Sequence, residues 1–331
     1  MDSEKAPAND PADEREDARK GKDESIFRKE PPAGFNTPTG LPSDPQAANR
    51  WQQANRAWWE SHPMRYDWGR KNPHENYSEA FFREMDRGFL ESTEQFMPWQ
   101  RIPFDPLIDF ASLGGLDVLE IGVGGGMHAE LLARHARSFT GIDLTEAAVD
   151  LTSRRLALHG LAGRVLRMDA EAMQFPDNSF DLIWSWGVIH HSSNTRRVLE
   201  EMRRVLRPGG SATVMVYHRN WWNYYVGAGL CDGILKGDLF RTRSLHKTMQ
   251  NRWDGALARF YTREEWKELV SDLFALESTR VYGQRSEAFP LMVPRLHYWF
   301  LRLFVPIRAS RFLTNQCRLG SFLVTTLRKP A

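Results

Sequence analysis

The sequence predicts a doubly wound α/β fold built on a mostly parallel seven-stranded sheet. Three observations carry that prediction. From Leu116 to about Tyr217, short apolar runs such as LDVLEIG, SFTGID, FDLIWSWG and SATVMVY alternate with stretches of helical period. The runs are continuously apolar rather than alternating, as strands covered on both faces must be. A glycine-rich turn, GVGGG at 122–126, joins the first run to the helix after it.

Each segment has its own reason. Residues 1–46 mix Asp, Glu, Lys, Arg, Pro and Ala, with Ile26, Phe27 and Phe35 as nearly the only large apolar side chains. Such a stretch buries too little surface to offset its ordering entropy, so it reads as a disordered tail whose removal to residue 40 leaves the melting temperature unchanged. A docking role for Ile26–Phe27 is the alternative. Residues 47–113 read as a helical lid. Ala48, Trp51, Ala54 and Trp58 share one helical face before Pro63, and a second helix runs from about Ser78 to Phe96.

The core spans 114–218. Its first strand, LDVLEIG, leads into the helix MHAELLARHA, and its second, SFTGID, into TEAAVDLTSRRLALHG, ended by Gly160. RVLRMDA is the third strand and FDLIWSWG the fourth. A helix with Asn194 as N-cap and Pro208-Gly209-Gly210 as its stop precedes the fifth, SATVMVY. Residues 219–261 are aromatic-rich without a clean period. The last segment, 262–331, holds a helix capped by Thr262, a sixth strand ALESTRVYG and a seventh LGSFLVTTLRK, with a helical insertion between these two strands.

Composition narrows the function. A net charge of +2 over 331 residues shows no nucleic-acid footprint. Cys231 and Cys317 lie far apart without metal-type spacing, which argues against a disulfide framework or cysteine metal site and suits a reducing compartment. The N-terminus lacks an apolar signal region, and no run reaches the roughly 18 apolar residues of a membrane span. The expectation is a cytoplasmic protein.

The glycine turn poses a chemical question. Such turns usually suit phosphates, yet Glu120 stands two residues before it. A dinucleotide fingerprint would put its third glycine at Met127, where none occurs. Two like charges about 4 Å apart at an effective dielectric near 20 repel by about 4 kcal/mol. The loop therefore suits a ligand presenting an ammonium, and S-adenosylmethionine is such a ligand. Asp143, with Leu144 beside it, stands about twenty residues past the first glycine, where a carboxylate accepts both ribose hydroxyls. Thr145 suits the alternative role of helix N-cap. Asp169 ends the third strand, able to accept from an adenine amino group while the Ala170 N–H meets a ring nitrogen. Three consecutive strands thus end in acids at one sheet edge.

EIGVGGG, GIDLT, MDAEAMQFPDNSFDLIWSWGVIHH and EEMRRVLRPGG together resemble the class I S-adenosylmethionine-dependent methyltransferases, nearest the branch with the ubiquinone/menaquinone C-methyltransferases. The resemblance runs from about Val118 to Val216. It implies a Rossmann-like methyltransferase fold, with Glu120 on the methionine amino group, Gly122 and Gly124 under the ligand, Asp143 on ribose and Asp169–Ala170 at adenine. Ser185, Trp186 and Gly187 would pass beside the methionine. SWGV stands where an Asn/Asp-Pro-Pro-Tyr/Phe stretch would mark amide- or adenine-N methylation, so a small-molecule acceptor is expected.

His190, His191 and His218 sit at the acceptor edge. Each is either a base for an acceptor that must lose a proton or a structural residue of its turn. Tyr66 and Asp67 are expected to cover the cofactor, whereas Trp51 and Trp58 equally suit packing. Trp221, Trp222, Tyr224 and Tyr225 are expected to shape an apolar or aromatic acceptor pocket. In the insertion, Leu296, Trp299, Phe300, Leu303 and Phe304 form an apolar face with Arg295 and Arg302 elsewhere, suiting packing on the domain or peripheral membrane contact through 291–305. The rival readings are a nicotinamide-dependent oxidoreductase, which Glu120 and Met127 oppose, and a non-catalytic module that keeps the cofactor site.

Overall fold

The computed structural model describes residues 31–64, 72–289, 300, 301 and 303–331. Its sheet comprises β1 (Asp117–Ile121), β2 (Ser138–Asp143), β3 (Arg164–Arg167), β4 (Phe180–Trp186), β5 (Leu206–His218), β6 (Phe260–Tyr261), β7 (Ala275–Tyr282) and β8 (Phe322–Arg328). The order is β3-β2-β1-β4-β5-β8-β7, with β6 paired to the end of β5. All pairings are parallel except those of β8, which runs antiparallel to β5 and β7. The winding direction reverses between β1 and β4, so a crevice opens at their carboxyl ends, where ligands bind in such sheets.

The period-2 pleat sorts the core. Leu119, Ile121, Ile183 and Val214 face the helices Thr195–Val205 and Arg263–Val270. Val118, Trp184 and Met215 face the helices Met127–His135 and Glu79–Phe96. Asn194 caps its helix by accepting from the N–H groups of Arg196 and Arg197, and Thr262 closes a capping box with Glu265.

Three expectations need correction. The helix ending at Val205 passes directly into β5, and Pro208-Gly209-Gly210 lies inside that strand at a shift of register with β4. β6 is an eighth strand of two residues, too short to leave a pattern. The third concerns the N-terminus. Residues 1–30 lie outside the described residues, Ile26–Phe27 included, but 31–46 are anchored through Phe35. Phe35 is wholly buried against Trp51, Leu257 and His246. The carbonyl of Pro38 accepts from Phe260 N–H at 3.0 Å, and that of Gly40 from Arg259 Nε at 2.8 Å. Composition misleads here because one aromatic anchors the segment in a pocket assembled from residues far along the chain.

Deleting residues 1–40 is therefore expected to lower the melting temperature. Losing a buried Phe alone costs about 3–5 kcal/mol, on the order of 5–10 °C in a chain of this size. Equal melting curves for the full and shortened chains would contradict the packing.

In the C-terminal insertion, 290–299 and Arg302 lie outside the described residues, so Leu296, Trp299 and Arg295 do too. Beyond them Leu301 and Val305 turn inward, where Arg285 donates to both their carbonyls at 2.6 Å. Leu303 and Phe304, on the face expected either to pack on the domain or to meet a membrane, stand exposed. No helix among the described residues is long and apolar enough to cross a membrane.

Candidate active site

The glycine turn is fixed by neighbours that leave no room for side chains. Gly122 has φ 82°, and a Cβ there would lie 2.2 Å from Val188. Gly126 has φ 79°, and its Cβ would lie 2.9 Å from the Thr152 hydroxyl. That hydroxyl donates to the Gly124 carbonyl at 3.1 Å, and Arg155 Nη1 donates to that of Gly125 at 3.3 Å. Arg155 is itself buried and held by Asp86 and Glu130. Asp143 ties the turn to β2: one carboxylate oxygen accepts from Gly124 N–H at 3.2 Å, the other from the N–H and hydroxyl of Thr145. Burial raises its pKa.

Glu120 lies just behind the wall formed by Ile121, Gly122 and His128. Its Oε2 has no hydrogen-bond partner among the described residues, and its Oε1 is 3.9 Å from His128 Nδ1. Burial pushes its pKa well up; Asp143 adds to the rise and Arg155 opposes it. His128 gives no compensating charge, because burial and then Arg155 pull its pKa down to about 3. A buried carboxyl without a partner favours an incoming cation and disfavours a phosphate. The donor set thus fits an amino acid with a free ammonium.

A cavity of about 270 Å³ runs along this edge. One half is lined by Gly122, Gly124, Asp143, Leu144, Asp169, Ala170, Trp186 and Gly187. Asp169 accepts from Gln52, whose own carbonyl accepts from Ser193 N–H, so the helix Pro45–Ser61 bridges the ends of β3 and β4. Glu60 of that helix also accepts from the N–H groups of Glu146 and Ala147. The other half is lined by Trp59, Phe96, Tyr217, Trp253, Phe322 and His191. Ser185 is buried away from the wall, and Tyr66 and Asp67 lie outside the described residues.

The structure separates the three histidines. His190 is fully buried with neither nitrogen hydrogen-bonded, its ring 3.9 Å from that of Tyr217. Burial, then His191, holds its pKa well below the usual range, so it is a neutral core residue. His218 Nδ1 donates to the Gly320 carbonyl at 2.8 Å, away from the cavity. His191 alone of the three lines it. Its Nδ1 meets the Leu257 carbonyl at 2.7 Å, and since a carbonyl only accepts, the proton belongs there and Nε2 carries the lone pair. Gly255, at φ 87°, lets the chain wrap this ring; a Cβ would lie 2.5 Å from Nδ1.

A buried arginine holds that loop. Arg259 donates through Nη1 to the Ser192 carbonyl, through Nη2 to that of Ser193 at 2.5 Å, and through its backbone N–H to that of His190 at 2.9 Å. Its Nε holds Gly40 of the N-terminal segment.

The expected aromatic pocket is displaced. None of Trp221, Trp222, Tyr224 or Tyr225 lines the cavity: Trp221 and Tyr225 are exposed, and Tyr224 packs beneath with Tyr217 and Phe260. Gln52, Thr152, Arg155 and Arg259 escaped sequence reading because each lies within a helix or in irregular chain without a motif, and His128, in the first turn of its helix, carries no motif of its own.

Residues 119–214 match the family model of a methyltransferase domain. The phthiotriol/phenolphthiotriol dimycocerosates methyltransferase of Mycobacterium tuberculosis is 44% identical over 100 residues, 30% of this chain and 36% of that protein. The ubiquinone biosynthesis O-methyltransferase of Coxiella burnetii is 27% identical over 146 residues, 43% of this chain and 62% of that protein. The chain thus matches about a third of the length of its mycobacterial relatives. With the strand order, the turn and the matched segment in agreement, residues 119–214 form a methyltransferase domain.

Proposed function

We propose that the protein transfers a methyl group from S-adenosylmethionine to a small apolar or aromatic acceptor. The observation that carries this is one continuous cavity in which the glycine turn meets an aromatic chamber holding His191. Glu120 would meet the amino group, Asp143 the ribose and Asp169–Ala170 the adenine. When bound, the cofactor supplies an electrophilic methyl group whose departure leaves a neutral thioether. His191 Nε2 takes the proton an acceptor O–H or C–H releases, and the Leu257 carbonyl steadies the imidazolium through Nδ1. Trp59, Tyr217 and Trp253 exclude water and orient the acceptor, which supplies most of the rate in such a displacement. The relatives, a phthiotriol/phenolphthiotriol dimycocerosates methyltransferase and a ubiquinone biosynthesis O-methyltransferase, accord with an apolar acceptor. Peripheral membrane contact through 291–305 would suit such an acceptor; in that segment Leu303 and Phe304 stand exposed.

The test is to incubate the protein with methyl-labelled cofactor and lipid and small-molecule extracts, then seek products heavier by one methylene. Cofactor binding without labelled product would leave only a binding module. His191→Gln is expected to lower kcat by about 10²–10⁴ with cofactor affinity unchanged. Wild-type turnover in that variant would remove His191 from the reaction.

A further inference from the structure

We propose that the outer face of the helix Trp221–Leu235, with the turn after it, docks on an anionic lipid surface. The inference concerns where the protein sits and stands whether or not methyl transfer is confirmed. This helix is wound with i→i+5 hydrogen bonds, about 4.4 residues per turn. Trp221, Tyr225, Leu230 and Ile234 follow one another at intervals close to that turn, so they fall on one stripe; α winding would put Trp221 and Leu230 on opposite sides. All four are exposed, from 44% at Leu230 to 59% at Trp221, and Leu235 (57%) and Phe240 (74%) extend the stripe. Large apolar side chains grouped this way on a surface mark a binding face.

The inner side of the same helix belongs to the fold. Tyr224 and Ala228 are buried against Tyr217, Met249 and Phe260, and Tyr217 is a wall of the aromatic chamber. The stripe therefore lies across one helix thickness from the acceptor half.

Charge selects the occupant. The stretch 219–252, both ends included, holds six Lys and Arg residues and two acids, Asp232 and Asp238. Lys236, Arg241 and Arg243 stand exposed around the Leu235–Phe240 end; Lys236 pairs with Asp232 and Arg241 with Asp238. An apolar stripe edged by cations is the pattern of a segment lying in the headgroup region of an anionic bilayer.

The experiment uses the full chain with vesicles of phosphatidylcholine alone and of equal parts phosphatidylcholine and phosphatidylglycerol. Cosedimentation is expected with the anionic vesicles and is expected to weaken as salt rises. A Leu230→Ser, Ile234→Ser, Phe240→Ser variant is expected to lose roughly tenfold or more in vesicle affinity while keeping cofactor binding and melting temperature. Lys236→Gln, Arg241→Gln, Arg243→Gln changes only exposed side chains and is expected to lose roughly threefold or more, independently of the first variant's folding. Absence of wild-type binding, or unchanged binding in the charge variant, overturns the proposal. So does light scattering that shows a wild-type dimer turned monomeric by the stripe variant without vesicle binding, since a second copy would then be the occupant.

Discussion

Replacing Arg259 by methionine is expected to destabilise the protein by about 3–5 kcal/mol and to lower acceptor turnover more than cofactor affinity. The guanidinium is fully buried and reaches the carbonyls of Ser192, Ser193 and Gly40. No carboxylate among the described residues bonds it directly; burial lowers its pKa, and Tyr261 and then Glu171 oppose that fall. Glu171 accepts from Ser193 Oγ and Asn194 N–H, so cation and acid grip the same loop from two sides. Methionine would match the volume but leave three carbonyls facing apolar surface, and each unmet buried acceptor costs about 1–3 kcal/mol. Arg259→Lys is expected to fail as well, because one ammonium cannot span the forked contacts. The loop so held carries His191, which makes Arg259 a positioning residue. A folded variant should show a fall in kcat with cofactor Kd within about threefold of wild type. Thermal melting and calorimetry read the two quantities, and a variant with unchanged melting and turnover would refute the assignment.

The second large effect is at Glu120. Glu120→Gln is expected to weaken S-adenosylmethionine by about 2 kcal/mol or more, roughly thirtyfold in Kd, because a charge pair screened little by solvent is lost. Its pKa stands well above the ordinary value, chiefly through burial, so the cofactor-free carboxyl keeps its proton to a higher pH than an ordinary glutamate. An incoming ammonium should expel it. Affinity is then expected to rise with pH up to that raised pKa, and binding to release up to one proton below it. The same shift bears on stability without ligand. A carboxyl whose folded-state pKa is raised contributes most below its unfolded pKa, and the contribution falls as pH rises through the folded value. Glu120→Gln should therefore flatten the cofactor-free melting temperature against pH, a readout independent of activity. Calorimetry in buffers of different ionisation enthalpy counts the proton. Equal affinity and equal proton release in wild type and variant would show that the ammonium sits elsewhere.

Much of this was written locally. Continuous apolar runs broken by capped helices predicted β1 to β5 because strand pleat and helix caps depend on nearest neighbours, as Asn194 and Thr262 show. Glu120, Asp143 and Asp169 were legible as a set because three parallel strands must end at one edge. The segment 219–261 showed no clean period because its helix winds at a repeat unlike that of α-helix or strand.

What the sequence by itself determined is the wound sheet, its glycine turn and the acids at its edge, all features whose physics extends over a few residues. Tertiary structure alone decided that Phe35 is core, that His191 rather than His190 or His218 faces the cavity, and that Arg259 and Gln52 tie distant segments around it. Those outcomes depend on which side chain fills a space enclosed by residues from 66 to 219 positions apart. No local pattern encodes that enclosure.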